Sequence, residues 1–134
     1  MITYTITGKT RKHKKFETFV EDVIDYLLPY PYKREIHIDI EFVDELEGNC
    51  GECFGDRNFA EIAICKKDIN KNFLDPRTIA LTAAHELVHA KQYIKGQIKR
   101  DKWSVKSFLG ATRAPWEAEA YKLEEELVLS LIHI

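Results

Sequence analysis

The chain has 134 residues, a formal net charge of −2 and 45% hydrophobic residues, enough for one self-supporting core and with no general pull toward nucleic acid or an anionic membrane. Its first residues, Met1-Ile2-Thr3-Tyr4-Thr5-Ile6-Thr7, lack the apolar run of a secretory signal, and no segment is long and apolar enough to span a bilayer. Three cysteines, an odd count, in such a chain predict reduced thiols and an intracellular, cytoplasmic setting.

In chain order, Ile2, Tyr4 and Ile6 alternate with threonines and predict a half-buried strand. The basic run Arg11-Lys12-His13-Lys14-Lys15 reads as a solvated turn. Phe16, Phe19, Val20, Val23, Ile24 and Leu27 then mark a helix ended by Pro29. Ile36, Ile38, Ile40 and Phe42 alternate with Glu35, His37, Asp39 and Glu41, the cleanest strand pattern in the chain, with His37 a solvated residue on the polar face. A Gly- and Cys-containing loop over roughly 44–57 leads to a third strand from about Asn58 to Cys65. Within it, Cys50-Gly51-Glu52-Cys53 has metal or redox spacing. With only Cys65 beyond it there is no second pair, and no thioredoxin-like strand–helix context follows, so the three thiols read as reduced loop and strand residues.

Asp75-Pro76 is a helix-start signal, an N-cap carboxylate followed by proline at the first helical position, and Gly96 supplies the stop. Between them Ile79, Ala83, Leu87, Ala90 and Ile94 form a core stripe. Thr78, Thr82, His85, His89 and Gln92 form a separate, mostly polar stripe facing a cleft. His85-Glu86-Leu87-Val88-His89 lies on this helix. Positions four apart sit one above the other, so the two imidazoles can converge on one zinc ion. Glu86 projects beside them outside the ligand set, which suits a general base acting on water activated by the metal. Gln92, one turn beyond His89, suits a supporting hydrogen bond.

Catalytic zinc takes a third protein ligand. Beyond His89 the only histidine is His133, at the penultimate position, so the ligand is sought among carboxylates of the helix opened by Pro115. Trp116, Ala120, Leu123, Leu127 and Leu131 make its core stripe, while Ala118, Lys122 and Glu125 point to solvent. Glu117 and Glu119 fall on opposite flanks, and Glu124 lies two turns farther along the flank that carries Glu117 and Tyr121. Helical angles alone leave Glu117, Glu119 and Glu124 open. Lys91, Lys95, Lys99, Arg100, Lys102 and Lys106 gather around the end of the motif helix, where lysines complement the helix dipole.

His85-Glu86-Leu87-Val88-His89 followed by Glu117-Ala118-Glu119-Ala120, a Glu-x-x-Ala pattern, resembles the minimal gluzincins, zinc metallopeptidases with a glutamate third ligand. His89-Ala90-Lys91-Gln92-Tyr93 and Pro115-Trp116-Glu117-Ala118-Glu119-Ala120 are similar to small zincin-like proteins of phages and bacteria, including the SprT-like group. The resemblance covers about residues 58 to 125. It implies zinc ligation by His85, His89 and Glu117, with Glu119, Gln92 and Tyr121 as supporting or alternative ligands. It also implies a peptide or protein substrate lying along the strand before the motif helix, at Ala60, Ile62 and Ile64. The gluzincin residue that stabilises the oxyanion has no counterpart assigned by the pattern. SprT-like proteins act on proteins bound to DNA, so nucleic acid enters as a further partner, although no aromatic interleaving supports it. A phage source would place the chain in the host cytoplasm.

The expected fold is therefore α+β: a single zincin-like domain over 1–134 with a small mixed sheet of three strands or slightly more, an N-terminal helix, the motif helix and a C-terminal helix. The expected activity is zinc-dependent peptide-bond hydrolysis, with one Zn2+ per chain and Glu86 as base. The competing class is a catalytically inactive, zinc-stabilised interaction module. Water access to the metal separates the two.

Overall fold

The structure, a computed structural model, describes residues 1–8, 13–29, 31–46, 50–98 and 115–131. Expectations that rest on Arg11, Lys12, Lys99, Arg100, Lys102, Lys106, Ala114 or His133, or on the side chain of His13, lie outside those residues.

β1 (Ile2–Thr7) leads into α1 (His13–Leu27). Phe16, Phe19, Val20, Val23, Ile24 and Leu27 recur at helical spacing and are all buried. Pro29 cannot donate to a further turn, and it restricts Leu28 before it. β2 (Ile36–Val43) returns parallel to β1, with Ile2 opposite Ile36. Its inward Ile36, Ile38, Ile40 and Phe42 are each at most 3% exposed while His37, Asp39 and Glu41 face solvent. Burying each such aliphatic side chain stabilises the fold by about 1.5–3 kcal/mol. On the outer face Thr3 and Thr5 hydroxyls hydrogen-bond the His37 ring at 2.9 and 3.3 Å.

Two sequence expectations are corrected here. The predicted 44–57 loop contains a strand, β3 (Gly51–Gly55), so among the described residues the sheet has four strands. β4 (Phe59–Cys65) lies between β2, to which it is parallel, and β3, to which it is antiparallel, in the order β1-β2-β4-β3. Ala60, Ile62 and Ile64 are therefore not an edge. Their side chains are buried core, and their backbone groups face partners on both sides. The edge strand against the motif helix is β3, which turns into β4 where Asp56 Oδ1 accepts the N–H groups of Asn58 and Phe59 at 2.7 and 3.1 Å.

α2 (Pro76–Ile94) packs on β3 and β4 from one side and meets α1 and α3 (Pro115–Leu131) on the other. Its ends match the sequence signals. Asp75 Oδ1 accepts the Thr78 N–H at 2.7 Å. Gly96, at φ +75°, closes a Schellman cap in which its N–H reaches Tyr93 O at 3.0 Å and that of Gln97 reaches Gln92 O at 2.7 Å. Ile79, Ala83, Leu87, Ala90 and Ile94 are buried as expected, but so is every residue from Glu86 to Ile94. The helix is an internal strut: His89 and Gln92 of its polar stripe are buried too, while Thr78, Thr82 and His85 are partly exposed. No helix among the described residues is long and apolar enough to cross a membrane.

Candidate metal centre

One turn of α2 separates His85 from His89, and their Nε2 atoms face each other at 3.2 Å. α3 crosses so that its first turn delivers Glu117 to the same point. Glu117 Oε1 lies 3.4 Å from His85 Nε2 and in direct contact with His89 Nε2. Zinc–ligand distances of about 2.0–2.2 Å in a tetrahedral arrangement place neighbouring donors about 3.3 Å apart. The donor set fits a zinc ion in its chemistry, and the separations of His85 Nε2 from the other two donors match that spacing, while Glu117 and His89 lie closer. Among the described residues these three form the group able to hold a metal ion, with Glu86 outside it.

A second layer orients the imidazoles. Gln92 Oε1 lies 2.7 Å from His89 Nδ1, accepting its proton and leaving Nε2 to face the centre. The Gln92 amide nitrogen donates to Trp116 O and to Glu119 Oε1, both at 2.8 Å, so one buried side chain ties α2 to the start of α3. Glu119 also receives Lys91 Nζ at 2.8 Å. Lys91 does lie in the last turn of α2, as expected, and it is also buried, 8% exposed and paired across the helix interface. It falls four residues after Leu87 and three before Ile94, a core position, which is the signal that sequence reading passed over. On the other flank of α3, Glu124 Oε1 stands 3.8 Å from His85 Nδ1. The ring of Tyr121, half-exposed, meets that of His85 edge-on with centroids 4.7 Å apart. Glu117 thus faces both histidines, Glu119 supports Gln92 and Lys91, and Glu124 backs His85.

Glu86 reaches toward β3 while staying within electrostatic range of both histidines, and is 7% exposed. Gly51 makes the room: a Cβ there would lie 3.1 Å from Glu86 Oε2 and 2.6 Å from Thr82 Cγ2. Sequence reading gave Gly51 no role, because only the pairing of β3 with β4 brings it under α2. Burial pushes the Glu86 carboxyl up to about 7 against the opposing pull of His89 and His85. Burial also works against ionised Glu117, but hydrogen bonds from His85 and His89 prevail and hold it down at about 2. His85 shows the reciprocal effect: burial disfavours its charge, yet Glu117, Glu86 and Glu124 raise its pKa above the usual imidazole range. Two carboxylates within one small site are driven apart, one kept ionised and one held near neutrality.

No protein family, curated protein or solved structure matches the chain.

Proposed function

We propose that this chain is a zinc-dependent peptidase of the gluzincin kind. The observation that carries the reading is the donor set itself: two imidazoles and one ionised carboxylate converge, while a second carboxylic acid, Glu86, is buried beside them and excluded from the set. Three protein donors leave one tetrahedral position for water or substrate, as a catalytic site requires and a closed structural site does not.

Zinc bound there supplies Lewis acidity, which polarises a carbonyl and acidifies water. The protein's own groups account for the rest. His85 and His89 present their Nε2 atoms because Gln92 holds His89 and Glu124 backs His85. Glu117 remains a charged donor. The carboxylate of Glu86, buried beside the donors, takes a proton from water and returns it to the leaving amine. Tyr121, whose ring packs edge-on against His85, is the candidate we assign to the developing oxyanion, the part that the sequence pattern leaves unassigned. The outer edge of β3 offers backbone groups to an extended peptide beside Glu86.

The test is incubation of zinc-loaded protein with a complex peptide library, read by mass spectrometry, wild type against Glu86→Gln. The wild type is expected to cleave. The variant is expected to bind zinc equally and to lose nearly all cleavage, since an amide cannot act as base. Cleavage by both proteins, or by neither with zinc bound, overturns the proposal, the second result favouring a zinc-stabilised interaction module.

A further inference from the structure

Cys50-Gly51-Glu52-Cys53 is spaced like a redox pair, yet the structure separates its two thiols. Along β3 successive side chains alternate, so Cys53 points inward under α2 while Cys50 precedes the strand, three residues and about 10 Å away. The cysteine that the fold sets against Cys50 is a different one. β3 and β4 pair with Gly51 opposite Ile64, and the next position places Cys50 opposite Cys65, whose N–H donates to Cys50 O at 2.8 Å. Cys50 sits at a bend just before the strand, and this hydrogen bond sets the two backbones at the spacing of a ladder pair, for which Cα atoms are about 5.5 Å apart. A disulfide needs Cα atoms about 4.4–6.8 Å apart.

The two thiols differ in access. Cys50 is exposed, whereas Cys65 is 6% exposed. Burial pushes the Cys65 thiol up, with the Leu46 backbone N–H bonded to its sulfur in opposition. An external oxidant therefore meets Cys50, and Cys65 can reach only what Cys50 brings to it.

We propose that Cys50 and Cys65 form a reversible cross-strand disulfide by exchange with a small disulfide such as oxidised glutathione. The Cys50 thiolate attacks one sulfur of that molecule, its S–S bond breaks and one glutathione thiolate leaves. The Cys65 thiolate then attacks the Cys50 sulfur, the protein S–S bond forms and the second glutathione thiolate leaves. Two protein thiols are oxidised by two electrons, one glutathione disulfide is reduced, and the two protein protons pass to the departing thiolates. The bond pins the entrance of the edge strand next to Gly51, whose backbone seats Glu86. The inference holds whatever chemistry the metal centre performs.

The experiment equilibrates the folded full chain in reduced and oxidised glutathione, alkylates the remaining thiols and maps the cross-linked peptides without reduction. Expected are loss of two titratable thiols, a Cys50–Cys65 linked peptide and a Cys53 thiol that alkylates only on unfolding. Cys53→Ala is expected to retain the link, and Cys65→Ser to stop at a mixed disulfide on Cys50. A Cys50–Cys53 link, a wild-type chain that stops at the mixed disulfide, or three thiols surviving an oxidising buffer each overturn the proposal. If Cys65→Ser does not fold, the wild-type and Cys53→Ala maps still decide.

Discussion

Replacing Gln92 with alanine removes a side chain that is 1% exposed and joins three partners, the His89 ring, the Trp116 carbonyl and the Glu119 carboxylate. Each hydrogen bond contributes about 0.5–1.5 kcal/mol net. Glu119 keeps Lys91, and with a side chain 38% exposed it also reaches water, so its share is small. The remaining two bonds set the loss at about 2 kcal/mol, or roughly 8 °C in melting temperature for a domain of this size. The effect on metal has a different origin. Without the Gln92 oxygen, nothing on α2 selects the tautomer that frees His89 Nε2, and the loss of such a partner typically weakens metal affinity 10- to 100-fold. Competition against a chromophoric chelator gives the affinity, and thermal melting with and without zinc gives the stability. Affinity within about twofold of wild type would refute the account of how His89 is oriented. A loss as deep as that of a direct ligand would make Gln92 a donor.

The three glutamates of α3 should separate in the same zinc assay: Glu117→Ala loses orders of magnitude, whereas Glu119→Ala and Glu124→Ala lose about 10- to 100-fold, and the reverse ranking means that α3 presents another flank. Chelation should lower the melting temperature and added zinc restore it, because the donors join two helices; identical melts with and without chelator rule out a zinc site that links them. Gly51→Ala is expected to displace Glu86 by about an ångström and reduce cleavage about a hundredfold at unchanged zinc affinity, and adding Thr82→Ser, which deletes the nearest clashing methyl, should recover part of it; full activity in the single variant shows that the seam has slack. The N-cap carboxylate of Asp75 has its pKa lowered chiefly by the Thr78 N–H. Its stabilisation is therefore present above the unfolded-state value and lost as pH falls through the folded-state value. Melting curves of the wild type and Asp75→Asn, which keeps a cap acceptor but cannot titrate, should differ at neutral pH and converge in acid; a gap independent of pH contradicts this.

The motif helix was legible because its signals are local. Asp75, Pro76 and Gly96 act on backbone groups within a turn, and the apolar stripe is a property of one helix. β3 was hidden for a physical reason: two of its five residues are glycine, and only Cys53 contributes a buried side chain, so alternation had almost nothing to act on. Edge and centre were illegible for another. Ala60, Ile62 and Ile64 read alike in either place, since strand order depends on pairing between distant segments. At the site, the two histidines follow from helix geometry alone. The distribution of roles among Glu117, Glu119 and Glu124 depends on how α3 is rotated against α2, a relation between two helices that neither contains by itself.

That relation makes the candidate metal centre portable. The donors and the groups that orient them come from two stretches, His85 to Gln92 on α2 and Trp116 to Glu124 on α3, which meet at one crossing. The sheet enters the site mainly through Gly51 beneath Glu86. A designer could therefore transplant the binding function onto any rigid pair of helices that reproduces this crossing, and would obtain a metal receptor. The proposed catalysis would not travel with it, because the buried seat of Glu86, its proposed base, belongs to the strand left behind.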